Sequence, residues 1–337
     1  MRRARNEAGR EPVVCYSLFL PNPSERRYLV SQLVLSIESL RAYNKTVPIH
    51  VFLYGEIDGL REALARHDAV IQNQGSYEDR LARHLPHVVP VLREHPVLHR
   101  FMNFPELKKL RPRQILMLDC DTFFFDDVAK LFSRYTKADW NAREEPWSRR
   151  SRYGYRRDYL DEGLLHRLGR TEAGKCAPPF NAGVILLNNR VWERLPGPEI
   201  LLAYTWRFLL WMALNPVEGA GAEYGELPGV GHLRAHLQEL VPQESRYKPL
   251  AYPSANRWIV DEVALWLTLG HMRNFTYEDL SARDVLQTRE YSLCRVGKNG
   301  AIACHYFSYN MRHFLKWAER NGAHTRGSGT DCKIWWS

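Results

Sequence analysis

The segment Gln114-Ile-Leu-Met-Leu-Asp-Cys-Asp-Thr-Phe-Phe-Phe125 constrains this chain more than any other. Four apolar residues run without alternation into Asp119-Cys120-Asp121, and an aromatic run follows. An unbroken apolar run of this kind reads as a strand buried on both faces. On an extended chain, side chains at i and i+2 point to the same side, which places Asp119 and Asp121 together. Two carboxylates at the end of a buried strand concentrate negative charge, and that is costly unless a cation compensates it. A divalent metal meets the need, and the carboxyl end of a strand is where open α/β sheets bind ligands. The plainer reading makes the pair turn or cap residues. Asp126 and Asp127 already stand where a cap is wanted, ahead of Val128-Ala-Lys-Leu-Phe132.

The flanking sequence alternates between strand and helix patterns. Val13–Leu20 reads as a strand. Ser24 can cap a helix reaching about Tyr43, with Leu29, Leu33, Ile37 and Leu40 on one face. Val47–Tyr54 is the next strand, Leu60–His67 a helix, Ala69–Gln72 a short strand, and Pro105–Leu110 a helix feeding the strand at 114–118. This order predicts an α/β fold, with a mostly parallel central sheet and helices on both faces. The stretch 139–178 is charged, aromatic and poor in aliphatics, and reads as a loop with a helix near Asp158–Leu168. Residues 216–256 are rich in Gly and Pro and read as an insertion on the substrate side.

At 337 residues and 45% hydrophobic, the chain is long and apolar enough to fold as a globule. Its six cysteines include no Cys-x-x-Cys pair, so they form neither a disulfide framework nor a zinc knuckle. That usage suits a reducing, cytoplasmic compartment. No apolar run approaches the roughly 18 residues of a membrane span; peripheral membrane contact is left open. The net charge is +9, with much of the excess in Arg149-Arg-Ser-Arg152, Arg156-Arg157 and a basic arm over 1–12. Such a patch draws anions, but no nucleic-acid module accompanies it, and nucleic acid is not the expected partner.

Three later segments carry polar residues in telling places. Phe180-Asn-Ala-Gly-Val-Ile-Leu-Leu-Asn-Asn189 holds a buried strand over Val184–Leu187, with Asn181, Ala182 and Gly183 as its approach. Gly183 permits close backbone approach, and Asn181 offers a donor and an acceptor. Trp258-Ile-Val-Asp-Glu-Val-Ala-Leu-Trp266 puts Asp261 and Glu262 at the start of an apolar helix, where the helix dipole alone would favour them. Ala301-Ile-Ala-Cys-His-Tyr-Phe307 is strand-like and ends at His305. A lone histidine there is usually a core residue; beside two aspartates it is a candidate third metal ligand.

Taken in order, Asp-x-Asp after a strand, Phe-Asn-Ala-Gly-Val, Asp-Glu opening a helix and a late His-Tyr resemble the GT-A glycosyltransferases of family 8, the glycogenin-like group. The approach Arg100-Phe-Met-Asn-Phe-Pro-Glu-Leu107 is also similar. The resemblance spans roughly 13–317. It implies a Rossmann-like GT-A domain over 13–320, with a nucleotide-binding half at 13–135, an acceptor and catalytic half at 136–320, and a tail at 321–337.

The implied reaction moves a sugar from a nucleotide-diphosphate donor, a UDP-hexose, with Mn²⁺ or Mg²⁺ and with retention at the anomeric carbon. By position, Asp119, Asp121 and His305 would hold the metal. Asn181, Asp261 and Glu262 would face the sugar, with Asp261 nearest the reacting centre. Arg100, Ala182 and Gly183 would approach the donor.

Three departures from the family stand out, one being the long stretch between Gly183 and Asp261, which implies a specialised acceptor side. Tyr16-Ser-Leu-Phe-Leu20 replaces the Ala-Ser/Thr-Asp that reads the base. After His305, Ser308 and Met311 stand where the family has Gly and Lys, leaving Arg312 or Lys316 to meet the diphosphate. The acceptor and the oligomeric state are left open by the resemblance. A nucleotidyltransferase acting on sugar phosphates would want a Gly-rich phosphate loop after the first strand, and Phe19-Leu-Pro-Asn-Pro-Ser24 has no Gly. A non-catalytic nucleotide-sugar or nucleic-acid binding protein is the other alternative.

Overall fold

The apolar run at 114–118 is a strand at the centre of a seven-stranded sheet, its five residues all buried. The computed structural model describes residues 11–19, 23–57, 59–86, 89–93, 95–144, 180–214, 260–272, 274–287 and 301–305. The strands are β1 (Val13–Phe19), β2 (Ile49–Tyr54), β3 (Ala69–Gly75), β4 (Gln114–Leu118), β5 (Thr122–Phe124), β6 (Trp140–Glu144), β7 (Phe180–Asn188), β8 (Tyr277–Asp279), β9 (Val285–Gln287) and β10 (Ala303–His305). The large sheet has the order β3-β2-β1-β4-β7-β6-β8. Only β7 opposes its neighbours, pairing antiparallel with β4 and β6; the other pairs are parallel. The expectation of a mostly parallel sheet holds.

Alternate residues of the central strands feed two cores, one on each face. Cys15, Ile115, Met117, Ile185 and Leu187 meet Phe101, Phe104, Leu201 and Leu265. These last come from a 3₁₀ segment (Pro96–Asn103) and from helices on that face. Tyr16, Leu116, Leu118, Val184 and Leu186 meet Leu33, Ile37, Leu131 and Ile302 on the other. The helices are α1 (Pro23–Tyr43), α2 (Leu60–Ala65), α3 (Tyr77–His84), α4 (Val89–Leu92), α5 (Phe104–Leu110), α6 (Ala129–Arg134), α7 (Asn189–Arg194), α8 (Pro198–Leu214) and α9 (Val260–His271). Helices therefore cover both faces. Beside α1 lies a second sheet of three short strands, β5-β10-β9.

The loop expected from 139 onward is in fact strand β6 over its first residues. Trp140, Asn141, Ala142 and Arg143 are all buried. Its polar side chains are matched rather than solvated: Asn141 donates to the Leu186 carbonyl at 3.1 Å, and Arg143 lies 3.2 Å from Asp279 on β8. Just ahead of β6, the buried Asp139 carboxylate accepts from both the backbone and hydroxyl of Thr276 and meets Arg190 and Arg194. Strand β7 starts earlier than its apolar pattern suggests, so Asn181, Ala182 and Gly183 lie within it. A register shift there pairs Ala142 with Ile185 but Arg143 with Asn181. The helix expected near 158–168, the Arg-rich segment, the 216–256 insertion, Arg312 and Lys316 lie outside the described residues. Among the described residues no helix is long and apolar enough to cross a membrane.

Candidate functional site

Where β4 ends, the chain turns. The Asp119 amide donates to the Gly183 carbonyl at 2.9 Å, and the Thr122 amide donates back to the Asp119 carbonyl at 3.2 Å. The two aspartates thus sit on a turn rather than on the extended chain that the sequence suggested. They still converge, and the intervening Cys120 directs its thiol at the Ser17 carbonyl. His305, at the end of β10, completes the group. Its Nε2 lies 3.6 Å from Asp119 Oδ2 and 3.3 Å from Asp121 Oδ1. One ligand atom from each of the three residues lies within 4.8 Å of the others.

The floor of the group is Gly183. A Cβ built there would stand 2.1 Å from the His305 ring, so a side chain at this position would force the imidazole or the strand to move. Arg100, buried on the 3₁₀ segment, bonds Asp119 with one guanidinium nitrogen and donates to the Ala182 carbonyl at 2.9 Å with the other. Burial alone would raise the Asp119 carboxyl, but Arg100 and then His305 outweigh it and hold it down to about 2. Burial, with repulsion from Asp119, raises Asp121 above the ordinary carboxylate range despite the nearby imidazole. Burial would lower His305, yet the Asp121 and Asp119 carboxylates push it up to about 10.

These features fit a divalent ion. Two carboxylates and an imidazole make a mixed oxygen and nitrogen donor set. Asp121 Oδ1 is buried and makes no hydrogen bond among the described residues, although it faces the imidazole. In the metal-free protein a proton on His305 supplies the positive charge that the aspartates require. Ligation needs the neutral ring, so an arriving ion must expel that proton. Mn²⁺ affinity should therefore climb with pH, by up to about tenfold per pH unit, until His305 is deprotonated without metal. Calorimetry in buffers of different ionisation heats would count the released protons. A proton-neutral association near pH 7 would contradict this assignment.

Asn181 and Glu262 form a second, adjoining constellation. Glu262, in the first turn of α9, accepts from Asn181 Nδ2 and from the Ala182 amide, both at 3.2 Å. Asn181 Oδ1 accepts from the Gly183 amide at 2.9 Å. Glu262 thus ties α9 to the part of β7 that supports His305. The backbone of Asp261 opens the same helix, while its side chain lies outside the described residues.

Sequence reasoning overlooked the polar furnishing at the end of β1. Tyr54 donates to Asn103 Oδ1 at 2.8 Å, and Asn103 Nδ2 reaches the Ser17 hydroxyl at 2.5 Å. Phe19 stacks on His99 with ring centroids 5.7 Å apart. The only early signal was the aromatic and amide content of the 96–103 segment.

The galactosyltransferase LgtC, solved with donor and acceptor sugar analogues, aligns with a TM-score of 0.53 over 96% of this chain and 98% of that one. The chain has the GT-A fold. The two sequences are 14% identical, so the likeness carries the architecture and not the reaction. Looser matches are mouse xyloside xylosyltransferase 1, with a TM-score of 0.44 at 14% identity over 88% of this chain and 97% of that one, and GlyE of Streptococcus pneumoniae, with 0.40 at 13% over 97% and 60%. No sequence family and no curated protein matches the chain.

Proposed function

We propose that this chain is a metal-dependent glycosyltransferase that takes a hexose from a uridine diphosphate donor with retention of configuration. The observation carrying the proposal is the Asp119, Asp121 and His305 group over Gly183, at the carboxyl end of β4 in a GT-A fold. A divalent ion, Mn²⁺ or Mg²⁺, bound there supplies Lewis acidity toward a diphosphate leaving group. Arg100 fixes the Asp119 carboxylate and adds positive charge behind it. Glu262 holds Asn181 and the Ala182 amide in place, leaving Asp261 as the carboxylate assigned to the reacting centre. Its negative charge would favour an oxocarbenium-like transition state. Retention then follows from attack on the face the leaving group departs from, with the phosphate oxygen taking the acceptor's proton. Arg312 or Lys316 is assigned to the diphosphate, and the end of β1, with Ser17 and Phe19, to the base. The Arg-rich segment around Arg149 and Arg150 and the 216–256 insertion are assigned to the acceptor.

The test is a thermal-shift panel of nucleotide sugars with Mn²⁺ and with chelator, followed by transfer to added acceptors and NMR of the product's anomeric carbon. A UDP-hexose should raise the melting temperature only when Mn²⁺ is present, and the product should keep the donor's configuration. A shift that survives chelator would remove the metal from the proposal, and an inverted product would remove retention.

A further inference from the structure

The three candidate metal ligands are tied to two different sheets, the aspartates through the turn that joins them and His305 from within a strand. Asp119 follows β4 of the large sheet and is fixed by the Gly183 carbonyl. Asp121 directly precedes β5, and His305 lies opposite Thr122 on β10, both in the small sheet. Each strand of the small sheet has only three residues. Whatever sets the small sheet against the large one therefore sets the ligand geometry.

Helix α1 carries polar residues where its position calls for apolar ones. Ser36 and Ser39, nearly one turn apart, are 1% and 4% exposed on a helix lined by Leu33, Ile37 and Leu40. Buried hydroxyls are costly unless they are hydrogen-bonded. Both are, and both serve β5. Strand β5 is the edge of the small sheet, so its outward backbone groups need partners from elsewhere. Ser36 donates to the Thr122 carbonyl. The Phe124 amide donates to Ser39 Oγ at 3.0 Å, and Ser39 donates in turn to the Ser36 carbonyl at 2.7 Å. Tyr16, on β1 of the large sheet, places its hydroxyl 2.8 Å from Ser36 Oγ. Since Ser36 spends its proton on Thr122, Tyr16 is the donor to Ser36. At the end of α1, Asn44 donates to Asp127 at 2.7 Å and pins the chain beyond β5.

We infer that Ser36, together with Tyr16 and Ser39, is a positioning residue that holds Asp121 and His305 at ligating distance from Asp119. The relay runs from the large sheet through Tyr16 and Ser36 to Thr122, the residue that both follows Asp121 and faces His305. This inference rests on the proposed metal site and adds to it the residues that set its width.

The test uses the full chain and Mn²⁺ alone, titrated by calorimetry and by the electron paramagnetic resonance of bound ion. Ser36→Ala should weaken Mn²⁺ binding by about tenfold, as loss of an outer hydrogen-bonded support does, and broaden the spectrum of the bound ion. Tyr16→Phe keeps the ring volume, serves if Ser36→Ala folds poorly, and should shift affinity in the same direction. The two together should fall short of additivity, because they break one relay. Leu64→Ala, on α2 away from β5, should lower the melting temperature yet keep wild-type Mn²⁺ affinity. Wild-type affinity in both Ser36→Ala and Tyr16→Phe would overturn the inference while leaving the metal site standing. A wild-type chain that binds no Mn²⁺ would overturn the metal site and this inference with it.

Discussion

Asp121→Ala should abolish metal-stimulated transfer while leaving the metal-free protein folded. The loss in rate should reach at least about 10³-fold, since metal polarisation of a leaving group supplies several kcal/mol. The fold should hold because two effects of the substitution oppose one another. It removes a desolvated carboxyl that burial already disfavours in its charged form. It also removes the foremost group keeping His305 protonated. Removing one carboxylate from a buried charged group is destabilising, but Asp119 still faces the imidazole, so the metal-free melting temperature should fall while the fold holds. Mn²⁺ should raise the melting temperature of the wild type and leave that of the variant unchanged. In the variant the imidazole should also titrate below about 10, because only Asp119 remains beside it. NMR of the His305 ring would follow that change. Full activity in the variant, or unchanged wild-type activity in excess chelator, would sink the metal assignment.

Gly183→Ala should damage the same site through shape alone. The added methyl would meet the buried His305 ring at 2.1 Å, closer than any real contact allows. Either β7 shifts or the imidazole does. Overpacking of this kind costs about 1–3 kcal/mol in stability. A ligand displaced by about 1 Å costs on the order of 10²-fold in rate. The double variant Gly183→Ala with His305→Ala separates the two effects. It should recover melting temperature relative to Gly183→Ala, because the methyl now fills the space the ring left, and it should still bind no metal. A single Gly183→Ala variant with wild-type Mn²⁺ affinity would show that the close approach is not needed.

The parts of this architecture legible in the sequence are those written as continuous apolar runs. Strands β1, β4 and β7 are buried over most of their length, and each holds an apolar run, Val13–Cys15, Ile115–Leu118 and Val184–Leu187, that no polar residue interrupts. Asp119, Asp121 and His305 could be grouped only through the order of motifs, since nothing local to His305 says what it faces. Strand β6 was hidden because Asn141 and Arg143 find partners across the sheet, and a pattern of apolar residues cannot record a satisfied polar one. Strands β5, β9 and β10 are too short to show any period. The apolar face of α1 was readable from Leu33, Ile37 and Leu40, but Ser36 and Ser39 look like solvent positions until β5 is placed against them. The part Glu262 plays in holding Asn181 depends on the helix phase of α9 relative to β7, which no single segment encodes.

The placement of one pair of candidate ligands early and the third late has a consequence for how such a chain can vary. As a polymer, the stretch from Asp121 to His305 is a closed loop of about 180 residues, and the entropy of closing a loop grows only with the logarithm of its length. Doubling such a loop costs only about 0.6 kcal/mol. The Arg-rich stretch 142–157 and the 216–256 insertion, to which the acceptor is assigned, fall entirely within it. Insertions there lengthen a loop that is already long and leave the register of β10 on β5 untouched. A scaffold closed in this way can exchange one acceptor-side segment for another of different length at little thermodynamic penalty to the Asp119, Asp121 and His305 group.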